Sequence, residues 1–162
     1  MQRKTSAISA MVATAAVAGL ALTAPAQAAD LVDYKVVDDW TIPESLTGQP
    51  GDPVNGKVVA IDRKLGNCLS CHKMPIPEEQ FHGETGPSLW GVGNRYEPEH
   101  LRLRIVDSKV INPETMMPAF YRVEGLHMVK DGFEDQPILT AQQVEDVVAY
   151  LMTLTEEEPQ TN

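Results

Sequence analysis

Gly66-Asn67-Cys68-Leu69-Ser70-Cys71-His72 contains both cysteines of the 162-residue chain, and its spacing governs how the rest is read. Two thiols separated by two residues at the end of a helical turn reach the two vinyl groups on one edge of a heme and form thioethers with them. His72, the next residue, then lies under the iron and offers an imidazole nitrogen as the proximal axial ligand. The expectation is one heme c, bound covalently through Cys68 and Cys71. Other uses of the pattern fit less well. A thioredoxin-like dithiol should follow a strand in a βαβ pattern, and none precedes Cys68. A structural zinc site needs a second Cys or His pair, which does not follow. A plain disulfide leaves His72 without a role.

Composition narrows the class. Lys and Arg number 13 against 23 Asp and Glu, a formal charge of -10, which argues against nucleic acid and for partners with basic faces. With 6% aromatic and 43% hydrophobic residues the core is modest, so a buried heme would supply much of the apolar surface a small fold needs.

The chain opens with Arg3 and Lys4, an apolar run from Ala7 to Ala24 rich in Ala and Thr, and a small-x-small site at Ala26-Gln27-Ala28. Residues 1–28 read as a secretory signal peptide rather than a membrane anchor. Cleavage removes two basic residues and no acid, which takes the charge from -10 to -12. It leaves no membrane anchor and places the protein in the periplasm, where covalent heme attachment is completed. Residues 29–54 mix apolar side chains with Pro and Gly at spacings that fit no helix, and read as an extended N-terminal arm. The arm must lie against this domain or against a partner. The expectation favours a partner as the surface that buries Trp40, Ile42 and Leu46.

Residues 55–155 form the main domain. Asn55 to Leu65 reads as a helix with Asn55 as N-cap and Gly66 as stop, and Gly56 marks a close helix crossing. Residues 74–93 are broken by Pro and Gly, with Phe81, Leu89 and Trp90 expected on heme edges. Glu97-Pro98-Glu99 opens a second helix that runs to about Lys109. Thr140-Ala141-Gln142-Gln143 is a capping box, and Val144, Val147, Val148 and Leu151 follow at helical spacing. Residues 156–162 form an acidic tail, expected to fray. Between these helices, Asn112-Pro113-Glu114-Thr115-Met116-Met117-Pro118 carries two methionines, either of which offers a thioether as sixth iron ligand or fills core. His82, His100 and His127 sit in no motif; any of them could be the sixth ligand of a bis-histidine heme, but the stronger reading is solvated surface residues.

Cys68-Leu69-Ser70-Cys71-His72, Gly86-Pro87, Met117-Pro118 and Ala149-Tyr150-Leu151 together resemble the class I c-type cytochromes, an all-α fold around one covalent heme. That resemblance implies Met117 rather than Met116 as ligand, so that His72 and Met117 hold the iron. It also implies a carbonyl at Pro87 hydrogen-bonded to the ligand imidazole, and a helix crossing between Gly56 and Tyr150. A narrower resemblance covers most of the mature chain. Ile42-Pro43-Glu44, the run from Gly86 to Tyr96, Arg104-Ile105-Val106-Asp107, the run from Asn112 to Pro118 and the run from Val147 to Leu151 are similar to the SoxX family.

SoxX proteins are monoheme subunits of the SoxAX thiosulfate-oxidising cytochrome. The resemblance implies a heterodimer with a SoxA-like heme subunit. It also implies a SoxYZ-like carrier protein whose cysteine receives thiosulfate, and a downstream electron acceptor. The chain would be the electron-transfer subunit of an L-cysteine S-thiosulfotransferase, with no catalytic residues of its own. Two other readings stay open at this point: a free periplasmic electron shuttle, and a non-heme dithiol or metal-binding protein.

Overall fold

The computed structural model describes residues 31–160, so the expected signal peptide lies outside the described residues. Four α-helices and one 3₁₀ turn carry the fold: α1 (Pro53–Ile61), the turn at Cys68–Ser70, α2 (Val92–Arg95), α3 (Pro98–Ile111) and α4 (Ala141–Thr153). No strand occurs among the described residues; Val37 and Thr41 form a single isolated bridge. No described helix is long and apolar enough to cross a membrane. The all-α expectation holds.

Helix α1 starts earlier than the sequence suggests. Asp52 is the N-cap, its carboxylate accepting from Val54 N at 2.8 Å, and Pro53 takes the first helical position, where its missing N–H costs nothing. The helix also ends earlier, at Ile61. Asp62 turns extended, and its side chain accepts from Lys64 N at 2.7 Å while its carbonyl accepts from Leu65 and Asn67 N. A short acceptor that bonds its own following backbone competes with the helix ladder, which is why the segment from Asp62 to Leu65 leaves it.

α1 packs across α4 at Gly56. A Cβ built there would stand 1.9 Å from the carbonyl oxygen of Asp146 and 2.8 Å from Tyr150 Cβ, so only glycine permits this approach. The expected crossing of Gly56 and Tyr150 is therefore present. Asp146 reinforces it from the α4 side, accepting from Asp52 N at 2.8 Å, Asn55 Nδ2 at 2.6 Å and Gln142 Nε2 at 2.9 Å. The expected capping box of α4 is present in both halves, with Thr140 Oγ1 accepting from Gln143 N and Gln143 Oε1 from Thr140 N. Val144, Val147, Val148 and Leu151 are all buried.

The arm corrects an expectation. Ile42 and Leu46 are 1% and 5% exposed and belong to this domain's own core, not to a surface offered to a partner; of the three, Trp40 alone, at 43%, stays open. The reason is polar as much as apolar. Arg102 lies buried and donates from Nη1 to Ile42 O at 2.7 Å, while its Nε and Nη2 meet Glu145 Oε1 and Oε2 at 2.8 and 2.9 Å. Glu145 Oε1 in turn accepts from Leu46 N at 2.9 Å. A buried bidentate pair is held only when its remaining hydrogen-bonding capacity is met, and the arm's backbone meets it. The chain is tied down just before the expected acidic tail, and one ion pair reaches into it. Leu154 O accepts from Gly93 N at 3.0 Å, Thr155 O from Asn94 Nδ2 at 2.9 Å, and Glu158 lies 3.8 Å from Lys73 Nζ.

Burial of Asp146 works against its ionised form, but its three donors outweigh that and hold the carboxyl below the ordinary aspartate value of 3.8. Because the folded pKa is depressed, this contribution to stability is complete above the unfolded value and is lost as pH falls through the folded one. Asp146→Asn in the heme-loaded protein is expected to cost about 1–3 kcal/mol at pH 7, the scale of hydrogen bonds to a charged acceptor. Its denaturation midpoint should also fall less steeply than the wild type's below about pH 4. Urea melts at several pH values check both; parallel curves on the acid side would contradict the assignment.

Candidate functional site

The turn after α1 gathers three of the four expected site residues. Asn67 adopts a left-handed conformation (φ 48°), and Gly66 N donates to Val59 O at 3.1 Å, which folds the chain back under α1. The 3₁₀ turn follows, and Cys71 N and His72 N both donate to Cys68 O, at 3.1 and 2.9 Å. Cys68 opens this turn and Cys71 caps it, which brings the two cysteines and His72 into one short stretch. Both cysteines are free. Burial pushes the Cys68 thiol up to about 11, so it stays protonated near neutral pH. That is the reverse of the lowered pKa a reactive redox thiol uses.

His72 is oriented by its neighbours. Its Nδ1 lies 2.6 Å from Pro87 O, and because a carbonyl only accepts, Nδ1 carries the proton. The lone pair is then on Nε2, the atom that binds iron in such a tautomer. Gly86 makes the pairing possible: a Cβ there would come within 2.4 Å of the ring's Cε1 and 2.7 Å of Nδ1. Gly86 N donates to Cys71 O at 2.8 Å and Gly83 N to Leu69 O at 2.7 Å, so the Gly-rich loop is tied directly to the cysteine turn.

Met117 sits on a separate loop. It is half-buried and packs against the core, while Met116 is 83% exposed. Met117 N donates to Thr115 Oγ1 at 3.2 Å and its carbonyl accepts from Ser108 Oγ at 3.0 Å. The three remaining histidines have other surroundings. His82 takes the Met74 N–H at Nδ1 (3.2 Å) and faces Glu79 O with Nε2 (3.1 Å); His100 stands among Trp40 and Tyr96; His127 is exposed. Of the residues expected on heme edges, Leu89 packs against the core, Trp90 is half-buried and Phe81 is exposed. Sequence reasoning missed Ser108 and Thr115 as holders of Met117, and Met74 and Ile76, which are fully buried in what read as plain loop. The alternation of Met74, Pro75, Ile76 and Pro77 was the only available signal.

These residues suit a covalent heme c. Two free thiols within one turn would provide the thioethers, and an imidazole with Nδ1 committed and Nε2 free would provide an iron ligand. Among the described residues no cluster of three or more His, Cys, Asp and Glu is placed to hold a different metal.

Comparison with known proteins agrees with that chemistry. Residues 54–155 match the cytochrome c family. Among solved structures, a chain of the crystal structure of SoxXA from P. pantotrophus is 40% identical, with a TM-score of 0.69, and the match covers 75% of the present chain and 94% of that one. No curated protein matches.

If Gly86 sets the His72 ring, Gly86→Ala should displace it and lower the yield of covalently heme-loaded protein about tenfold or more, in line with the large cost of a forced overlap in a packed site. Pro87→Ala keeps the acceptor, which is backbone, and should retain most of the yield. Heme content per mole of purified protein reads both; equal yields for Gly86→Ala and wild type would sink the claim.

Proposed function

The chain belongs to the cytochrome c family, in its SoxX branch, and from that premise we propose that it is the electron-accepting subunit of a periplasmic SoxAX-type complex that oxidises thiosulfate. Family membership brings one heme c, attached through Cys68 and Cys71. The observation that carries the proposal is the 40% identity to a chain of SoxXA over 94% of that chain's length. The proposed partners are a SoxA-like heme subunit, a SoxYZ-like carrier protein and a downstream acceptor.

The proposed axial pair is His72 and Met117. Pro87 O fixes the His72 tautomer and strengthens the imidazole as a donor. Ser108 and Thr115 hold the Met117 backbone on both sides, whereas Met116 points its side chain into solvent, which supports Met117 as the ligand. A neutral thioether opposite an imidazole favours the ferrous state and so raises the potential.

Joining thiosulfate to a carrier thiol forms one S–S bond and releases one proton and two electrons. A single heme c supplies a one-electron step when bound, so each bond formed calls for two transfers or a second acceptor. In this reading the chain makes and breaks no substrate bond. Its residues bind the heme, set the iron's ligands and carry a surface for the partner.

Two measurements test this. Met117→Leu should abolish the far-red sulfur-to-iron absorption of the oxidised protein, and Met116→Leu should keep it. Co-expressed with a SoxA-like subunit, the chain should elute as a 1:1 complex and become reduced in turnover with thiosulfate and a SoxYZ-like carrier. A monomer whose heme stays oxidised there would leave only a free electron shuttle.

A further inference from the structure

We propose that a break inside α3 at Asp107 is the device that holds the Met117 loop in register, with Asp107, Ser108 and Arg122 as positioning residues for the sixth ligand. The inference rests on the reading of Met117 as that ligand. It starts from one residue: Asp107 has φ -155° and ψ 88°, well outside helical values, in the middle of an otherwise continuous helix.

In an unbroken helix the carbonyls of Ile105 and Val106 would accept the N–H groups of Lys109 and Val110. Here Lys109 N donates instead to Asp107 Oδ1 at 3.1 Å, so the Asp side chain restarts the helix as a local cap. The two carbonyls point elsewhere. Ile105 O accepts from Phe120 N at 3.1 Å and Val106 O from Tyr121 N at 3.2 Å, two consecutive backbone bonds to the segment that follows Met117-Pro118.

Side chains next to the break extend the same grip. Ser108 Oγ donates to Met117 O at 3.0 Å, and Lys109 Nζ to Thr115 O at 2.7 Å. On the far side, Arg122 Nη1 meets Asp107 Oδ2 at 2.9 Å, with the Asp107 side chain buried and Arg122 about a third open. Apart from the local bond between Lys109 and Asp107, every one of these bonds joins residues 105–109 to residues 115–122. Asp107 serves both functions: one oxygen restarts the helix, and the other fastens the far end of the loop.

A loop held at both ends of Met117 would keep its thioether in place for a heme iron whether or not the two were bonded. An external ligand would then bind only the small fraction with the loop open, and loosening the loop would raise its apparent affinity in proportion. A merely structural role predicts nothing of this kind, because general loss of stability leaves the local opening of the Met117 loop unchanged.

The test compares Asp107→Asn and Arg122→Gln with Glu145→Gln, which weakens a buried ion pair on the arm side of the molecule, far along the chain from Met117. Asp107→Asn keeps the shape of the residue, and Arg122→Gln alters a partly open side chain, so loss of folding in the first still leaves the second to read. In the oxidised, heme-loaded proteins, apparent imidazole affinity should rise about tenfold or more in the first two and stay within about twofold of wild type in Glu145→Gln. Amide exchange at Phe120 and Tyr121 should accelerate in the same two variants only. Unchanged imidazole affinity in both, or an equal rise in Glu145→Gln, overturns the proposal. Should Met117→Leu retain its far-red band, the ligand reading fails by itself, and amide protection still reports whether the break grips the loop.

Discussion

The contact between Gly56 and the Asp146 carbonyl is the constraint on which the rest of the molecule depends. With no side chain at position 56, α1 lies on the backbone of α4, and the direction of α1 is set before any larger side chain contributes. Asp146 then uses its carboxylate to accept from the cap residue of α1, from Asn55 and from its own neighbour Gln142. The start of α1 is therefore bound to α4 by both steric fit and charge-assisted hydrogen bonds. Its end delivers the cysteine turn, so an error in the crossing angle would be carried to Cys68, Cys71 and His72.

A second theme is that backbone groups released by irregular structure are reused. The early stop of α1 at Asp62 frees Val59 O to receive Gly66 N, which places the cysteine turn. The cysteine turn itself, too short to be a full helix, leaves Leu69 O and Cys71 O for Gly83 and Gly86, which bring the Pro87 carbonyl to His72. Buried backbone groups that lose one partner must find another, and here the replacement partner is in each case a loop that carries or orients a residue proposed to hold the heme.

Much of this was legible from local chemistry. Cysteine spacing, the Thr140 and Gln143 capping box and Pro98 at a helix start each depend on residues within a few positions of one another, and each is where the sequence puts it. Gly56 could be read because only an absent side chain explains a glycine within an otherwise good helix. What could not be read depends on distant partners. Ile105-Val106-Asp107-Ser108 has nothing in it that forbids a helix, and the break is stabilised only because Phe120, Tyr121 and Arg122 arrive from elsewhere. Arg102 and Glu145 look like solvent-facing charges on their own helices; their burial needs each other and the arm. The arm's apolar residues announced that they would be covered, but a single chain gives no sign of which surface covers them.

The bond from Leu46 N to Glu145 Oε1 joins residues 99 positions apart, and the crossing at Gly56 spans nearly as far. A ribosome makes the arm and α1 long before it makes α4. Until those last residues appear, Arg102 has no carboxylate, the arm has no anchor and α1 has nothing to cross, so the growing chain holds no finished core. The cysteines and His72 consequently lie in an open polypeptide for as long as α4 is missing from the fold. Docking of the final helix is the event that closes this interval.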